Sequence, residues 1–262
     1  MAQVDDRTIP GPESELPIRI YWPTLASTAP VLVYFHGGGW VIGDIPGWDR
    51  TCRSLAAASG SIVVSVEYRL APENKFPAAA EDAYAALQWV IRHAASIGGD
   101  SSRVAVGGDS SGGNLAMVAC ILARDRGGLQ AAFQLLVYPV VDFEHDSPSM
   151  IEFGTDHFLT RTAMRKFWDF YLNSPADGDS PLASPARADL RGLPPAFIIT
   201  AECDPLRDQG EAFAAKLKAA GVEAHVKRYD RAIHSFFSWA GIVDSGKQAI
   251  ADAGAALRAA LG

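Results

Sequence analysis

The sequence predicts an α/β protein with a doubly wound, mostly parallel sheet that carries helices on both of its faces. Two observations support this prediction. Apolar, β-branched runs such as residues 31–35 and 62–66 are typical of strands that are buried on both faces. Longer segments with helical periodicity, such as residues 77–95, alternate with these runs along the chain. In such folds the functional site lies at the carboxyl ends of the strands.

The elements follow one another in a regular order, with one interruption. We expect strands at residues 3–9, 18–21, 31–35, 62–66, 104–107, 133–138, 196–201 and 224–229. The expected helices are 48–59, 77–95, 111–125, 209–220 and a last one from about residue 241. Residues 141–193 break the alternation, because prolines are frequent there and only 162–172 predicts a helix; this is too long for a simple loop. We therefore expect a single domain over residues 1–262, with 141–193 as a cap over one end of the sheet.

The composition excludes several classes of protein. A net charge of −7 argues against binding to nucleic acid or to an anionic membrane surface. No apolar stretch reaches the roughly 18 residues that a membrane helix needs. Residues 1–8 are charged and lack the apolar region of a signal peptide, so we expect none. Three widely spaced cysteines, Cys52, Cys120 and Cys203, predict free thiols in a reducing compartment. We expect a cytoplasmic protein without a nucleic-acid or membrane partner.

A serine on a tight turn stands in the middle of the chain. Gly108-Asp-Ser-Ser-Gly112 fits the G-x-S-x-G pattern, in which a strand turns sharply into a helix and presents the serine hydroxyl. The flanking glycines relieve the crowding of such a turn, because they place no side chain against the strand or the helix. Ser110 is therefore the candidate nucleophile. Residues 99–102 repeat the same tetrapeptide, but Arg103 replaces the closing glycine and the repeat precedes its strand, so we reject it.

Further reactive residues follow the ends of other predicted strands. The first buried strand ends at His36-Gly-Gly-Gly39, and the last two predicted strands are followed by Asp204 and His234. Because the carboxyl ends of parallel strands share one edge, these groups converge on Ser110. His234 would take the proton of the serine, and Asp204 would orient the imidazole and stabilise its charged form. The order Ser110, Asp204, His234 predicts the α/β-hydrolase fold and acyl-transfer chemistry.

The glycine loop adds donors for a developing oxyanion. Its unobstructed N–H groups, together with the N–H of Ser111, would stabilise the negative charge of a tetrahedral intermediate. A glycine run can also be only a turn, although the buried strand before this one favours the functional interpretation. Asp204 and Asp208 could each be helix-capping carboxylates, and the strand-end position favours Asp204 as the acid.

The other histidines are better explained structurally. His93 lies on a predicted helix and His225 within a predicted strand, while His145 and His157 lie in the 141–193 segment. His145 is surrounded by acidic residues in sequence. We expect a solvated acidic loop there and no metal site.

Several blocks, in order, resemble the hormone-sensitive-lipase-like esterases (bacterial family IV) from residue 9 to the end of the chain. The matching blocks are His36-Gly-Gly-Gly-Trp-Val-Ile-Gly43, Tyr68-Arg-Leu-Ala-Pro-Glu73, Gly108-Asp-Ser-Ser-Gly-Gly-Asn114, Asp204-Pro-Leu-Arg-Asp208 and His234-Ser-Phe236. The resemblance implies a carboxylesterase that acts on short acyl esters without a cofactor. It also implies that Ser110, Asp204 and His234 form the catalytic triad. The oxyanion donors it implies are Gly38, Gly39 and Ser111, with Gly37 as an alternative, and the supporting residues are His36, Asp109 and Glu73.

The sequence departs from the family pattern in three places. Family members usually carry some tens of residues of helix before the first strand, whereas the first strand is expected here by Val4. The pocket would then be more open, and apolar surface on 141–193 would be uncovered or used to form a homo-oligomer. Ser111 stands where alanine is commoner, and we expect its N–H to act unchanged. Ser235 stands where glycine is usual, and the sequence indicates no consequence.

The leading hypothesis is a serine carboxylesterase for small-molecule esters with short- to medium-chain acyl groups. An amidase or peptidase with the same triad remains open, because the sequence does not decide how well the site protonates an amine leaving group. A small-molecule receptor on the same scaffold is the alternative from another class. The related plant gibberellin receptors lose the catalytic histidine, so the presence of His234 argues against it.

Overall fold

An eight-stranded sheet runs through the computed structural model, which describes residues 1–25 and 28–262. Its strands are β1 (Gln3–Pro10), β2 (Glu15–Trp22), β3 (Ala29–Phe35), β4 (Ile62–Val66), β5 (Gly99–Asp109), β6 (Phe133–Val137), β7 (Ala196–Cys203) and β8 (Ala224–Ile233). They lie in the order β1-β2-β4-β3-β5-β6-β7-β8. β2 pairs antiparallel with β1 and β4, and the other neighbours pair parallel. The predicted, mostly parallel sheet is confirmed.

Helices cover both faces of this sheet. Those of the described residues are α1 (Ile45–Ser59), α2 (Ala78–His93), α3 (Ser111–Asp125), α4 (Pro148–Glu152), α5 (Arg161–Tyr171), α6 (Arg207–Ala219) and α7 (Asp244–Leu261). Short 3₁₀ turns occupy Ala94–Ile97, Pro175–Asp179 and Pro185–Arg187. None of the described helices is long and apolar enough to cross a membrane.

The strand β3 shows how the two core layers arise. Successive strand residues point to opposite faces. Val31 and Val33 therefore pack in the core layer that includes α2, α3 and α6, while Leu32 and Tyr34 pack in the layer that includes α1 and α7. All four side chains are fully buried. Because both faces are covered, a continuous apolar run is required in place of an alternating one.

The structure differs from the sequence prediction in two segments, one of which is polar and the other short. β5 begins at Gly99, so it includes the rejected copy 99–102, which pairs with β3 through the Ala29–Gly99 register. The backbone pairing needs no apolar side chains, and Ser101 and Ser102 are exposed. The helix α4 lies in a segment where no helix was expected. It has five residues and carries Pro148 at its first turn, so it lacks the periodicity that predicts longer helices.

A buried ion pair holds the turn after β4 against helix α2. Asp82 is fully buried and accepts hydrogen bonds from the Arg69 backbone N–H at 2.9 Å and from its Nη2 at 2.8 Å. Arg69 also pairs through Nη1 with Glu13 at 2.7 Å, but Glu13 is largely exposed. A carboxylate removed from water needs its partner far more than an exposed one does.

We expect Asp82→Ala to lower the free energy of unfolding by about 3–5 kcal/mol, because the Arg69 guanidinium would lose its buried counter-charge. Chemical denaturation of the purified variant would measure this. The matched control is Glu13→Ala, which removes the exposed partner of the same arginine and should cost less than about 1 kcal/mol. Equal losses in the two variants would contradict the assignment.

Candidate active site

Ser110 occupies a strained turn between β5 and α3. Its φ is 56° and its ψ is −118°, a conformation that a residue with a side chain rarely adopts. A Cβ atom on Gly112 would overlap the carbonyl oxygen of Phe35, and one on Gly108 would overlap the backbone of Gly112. The turn is therefore sterically possible only with glycine on both sides. The Ser110 N–H donates to the carbonyl of Val137 at 2.9 Å, which ties the turn to the end of β6.

The structure brings Ser110, His234 and Asp204 together. The Ser110 Oγ lies 3.0 Å from His234 Nε2, and His234 Nδ1 lies 2.7 Å from Asp204 Oδ2. With the proton on Nδ1, the imidazole donates to the carboxylate and leaves Nε2 free to accept from the serine hydroxyl. Each of the three residues directly follows the last residue of its strand. This hydrogen-bonded chain can remove a proton from the serine.

Both partners of Ser110 are shielded from water. Asp204 is fully buried, and its other oxygen, Oδ1, accepts from the Leu206 N–H at 2.9 Å. His234 is 4% exposed, and its ring lies 4.6 Å from that of Tyr138. Tyr138 has a φ of 32°, so strain is present beside the histidine as well as at the serine.

Three backbone N–H groups are available next to the serine. Within the described residues, the N–H groups of Gly38, Gly39 and Ser111 donate to no protein acceptor. Ser111 is the first residue of α3, so its N–H belongs to the positive end of the helix dipole. The Gly37 N–H differs, because it donates to Asp109 Oδ1 at 3.1 Å. The Gly37 N–H is therefore already occupied by a hydrogen bond that holds the loop.

His36 is a buried part of the glycine loop. Its Nδ1 lies 2.7 Å from the Gly37 carbonyl oxygen, and its ring stacks on that of Tyr68 at 4.4 Å. Tyr68 Oη donates to the His36 carbonyl at 2.8 Å. Burial lowers the pKa of His36 to about 4, so the imidazole is neutral at neutral pH. A neutral ring suits a residue that holds the loop by hydrogen bonding and stacking.

Asp109 fixes the other side of this loop. Its Oδ1 accepts from Tyr34 Oη at 2.8 Å and from Trp48 Nε1 at 2.8 Å, in addition to the Gly37 N–H. Burial raises the pKa of Asp109 from 3.8 to about 6, although these hydrogen bonds act in the opposite direction. The carboxylate thus joins β3, α1 and the glycine loop.

Other candidate residues lie outside this cluster. Glu73 is exposed in the turn before α2, and none of its described contacts reaches Ser110, Asp204 or His234. Asp208 is engaged by Arg207 Nε at 2.8 Å and by the Ser149 N–H at 2.8 Å. In the described part of the chain, no group of three His, Cys, Asp or Glu side chains is arranged to hold a metal ion.

Sequence reasoning missed contacts that come from distant parts of the chain. Trp48, Tyr138 and Phe167 carry no motif, yet they contact Asp109, His234 and Gly39, respectively. The only feature of the sequence that pointed to these three residues was that each is aromatic and lies near an irregular segment. Ser235 has a φ of 71°, which explains why glycine is usual there, since a side chain in this region costs roughly 1–2 kcal/mol.

Comparison with known proteins identifies relatives over nearly the whole chain. The model of a family described as alpha/beta hydrolase fold matches residues 32–238. The carboxylesterase NlhH of Mycobacterium tuberculosis is 42% identical over 266 residues, which cover 99% of this chain and 83% of the relative.

Solved structures of esterases are equally similar. The hyperthermophilic esterase of the archaeon Pyrobaculum calidifontis superposes with a TM-score of 0.97 at 45% identity, covering 99% of this chain and 87% of the other. The thermophilic carboxylesterase EstE1, cloned from a metagenomic library, also gives a TM-score of 0.97 at 45% identity, covering 100% and 90%.

We expect Gly39→Ala to lower kcat/KM for a chromogenic acetyl ester by about 10²-fold, because the loop that presents the free N–H groups would move. A Cβ at this position would overlap the ring of Phe167, and its φ of 61° disfavours alanine. The Phe167→Ala background provides the control. There the added methyl group has room, so Gly39→Ala should cost less; equal costs in both backgrounds would exclude the steric explanation.

The raised pKa of Asp109 predicts a specific pH dependence of stability. Between pH 3.8 and about 6 the folded protein binds more protons at this group than the unfolded chain, so its free energy of unfolding falls as the pH rises. Asp109→Asn removes the titrating group. Between pH 3.8 and about 6, the free energy of unfolding of the wild type should therefore fall by up to about 3 kcal/mol more than that of the variant. Urea denaturation at pH 4, 5 and 6 measures it. The exposed Asp230→Asn is the control, and parallel curves for wild type and Asp109→Asn would refute the prediction.

Proposed function

The chain belongs to the alpha/beta hydrolase family and is a carboxylic ester hydrolase, as the resemblance predicts, and from this premise we propose that Ser110 is its nucleophile. The observation that carries the proposal is the continuous hydrogen-bonded chain from Ser110 Oγ through the His234 ring to the buried Asp204. In the first step Ser110 Oγ attacks the ester carbonyl carbon while its proton passes to His234 Nε2. Asp204 stabilises the imidazolium that forms.

The carbonyl oxygen becomes negatively charged in this step. We assign its stabilisation to the N–H groups of Gly38, Gly39 and Ser111, which have no other acceptor within the described residues. Gly37 is left out of this set because its N–H is bound to Asp109. His36 and Asp109 act through the loop, since they hold its backbone and do not reach the reacting atoms.

Collapse of the tetrahedral intermediate completes the acylation. The bond to the alcohol oxygen breaks, His234 Nε2 returns its proton to that oxygen, and the acyl group stays on Ser110 as an ester. Water then attacks the carbonyl carbon of the acyl-enzyme while His234 Nε2 takes a proton from it. The bond between that carbon and Ser110 Oγ breaks, and the proton returns from His234 to Oγ. The released acid and the regenerated serine close the cycle without a cofactor.

The surroundings of Ser110 favour small substrates. Ser110 is nearly buried, with 7% of its surface exposed. The half-buried Phe167 covers Gly39, which limits the space above the glycine loop. These contacts support esters with short- to medium-chain acyl groups. They also support the proposal that residues 1–262 form one hydrolase domain with residues 141–193 as its cap.

We expect Ser110→Ala to lower kcat for p-nitrophenyl butyrate by about 10⁴-fold or more, because the alanine has no oxygen to acylate. An alkyl organophosphonate should add one phosphonyl group to wild type, located at Ser110 by peptide mass spectrometry, and none to the variant. Activity that persists in Ser110→Ala would overturn the assignment.

In a series of p-nitrophenyl esters, the rate should be highest between acetyl and octanoyl and should fall for longer chains, and matched anilides should react more slowly.

A further inference from the structure

The loop that carries Asp204 is hydrogen-bonded to helix α4 of the 141–193 segment. Ser149 Oγ donates to the carbonyl of Pro205 at 2.8 Å and accepts from the Asp208 N–H at 3.1 Å. The Ser149 N–H donates to Asp208 Oδ2 at 2.8 Å. Ser149 is fully buried, so water does not compete for the bonds of its hydroxyl. One side chain therefore holds both ends of the turn that follows Asp204.

A second, weaker contact joins the same two segments. Arg207 Nη2 lies 3.6 Å from Glu152 Oε2, and the guanidinium lies 5.0 Å from the centre of the Phe153 ring. Glu152 is largely exposed, so this ion pair contributes little on its own. The buried hydroxyl of Ser149 is thus the more important connection between α4 and the loop.

The turn held by Ser149 determines where the Asp204 carboxylate lies. The Leu206 N–H donates to Asp204 Oδ1 at 2.9 Å, and the Arg207 N–H donates to the Asp204 carbonyl at 3.0 Å. These two donors lie between Pro205 and Asp208, the two residues that Ser149 contacts. A shift of the turn would therefore move the carboxylate away from His234 Nδ1. Displacements of about 1 Å in an active site can reduce the rate by 10²-fold.

We propose that Ser149 is a positioning residue for the triad: it aligns Asp204 with His234 and makes that alignment depend on the docking of the 141–193 segment. Its partner is Asp208, whose pKa lies below the ordinary value because hydrogen bonds from Arg207 and Ser149 outweigh the effect of burial. This gives the second carboxylate of Asp204-Pro-Leu-Arg-Asp208 a role. The inference rests on the proposed function.

The test compares Ser149→Ala with Ser184→Ala. Ser184 is an equally buried serine in the same segment, accepting from the Phe143 N–H at 2.8 Å and donating to the Gly178 carbonyl at 2.7 Å. None of its hydrogen bonds within the described part of the chain reaches residues 204–208. Both variants should lower the melting temperature. Only Ser149→Ala should lower kcat, by about 10- to 100-fold, with KM changed less than about twofold.

The pH profile of kcat separates alignment from general destabilisation. A displaced Asp204 stabilises the imidazolium less, so the acidic limb of the profile should move to lower pH in Ser149→Ala and stay in place in Ser184→Ala. The low-field proton signal of His234 Nδ1–H, read by NMR at neutral pH, should move or broaden only in Ser149→Ala.

Two results would overturn the proposal. One is a Ser149→Ala variant whose kcat and pH profile match those of Ser184→Ala. If Ser149→Ala does not fold, Ser149→Cys serves instead, because the thiol occupies the position of the hydroxyl but is a much weaker hydrogen-bond donor and acceptor; an unshifted acidic limb in that variant overturns the proposal too. Failure of the proposed function is distinguishable, since it is read from persistent activity in Ser110→Ala.

Discussion

The close approach of helix α3 to the end of strand β3 is the constraint on which the site depends. Gly112 lies so near the Phe35 carbonyl that any side chain there would collide with it. This contact places the turn at Ser110 directly beside the start of the glycine loop at His36. The nucleophile and the free N–H groups therefore come from neighbouring strands, and their separation is set by backbone packing and does not depend on flexible side chains.

Two buried titratable groups, His36 and Asp109, hold the glycine loop, and burial shifts their pKa values in opposite directions. Burial disfavours the charged form of each, which lowers the pKa of His36 to about 4 and raises that of Asp109 to about 6. At neutral pH the histidine is uncharged and the aspartate is a carboxylate that accepts three hydrogen bonds. These donors, one of which belongs to the loop itself, offset only part of the cost of burying that charge, because the pKa of Asp109 stays above its ordinary value.

The 141–193 segment contacts the site from two sides. Phe167 of α5 covers Gly39, and Ser149 of α4 binds the turn behind Asp204. Trp40, which follows the glycine loop, stacks on Tyr171 at 4.3 Å and adds to the first of these contacts. In this arrangement the segment both limits the space for substrate and supports two of the groups proposed to act on it. Changes in its packing are expected to affect kcat as well as substrate size.

The sequence by itself determined the sheet, the strand-end positions of Ser110, Asp204 and His234, and the order in which they occur. Continuous apolar runs mark buried strands wherever both faces are covered, and parallel strands bring their carboxyl ends to one edge of the sheet. Only the tertiary structure decided that the Gly37 N–H is bound to Asp109, that Tyr138 lies against His234, and that α4 holds the Asp204 loop. These contacts join residues far apart in the chain, through short or irregular segments whose sequences carry no period. Their partners are set by how the segments pack, which local sequence patterns do not encode.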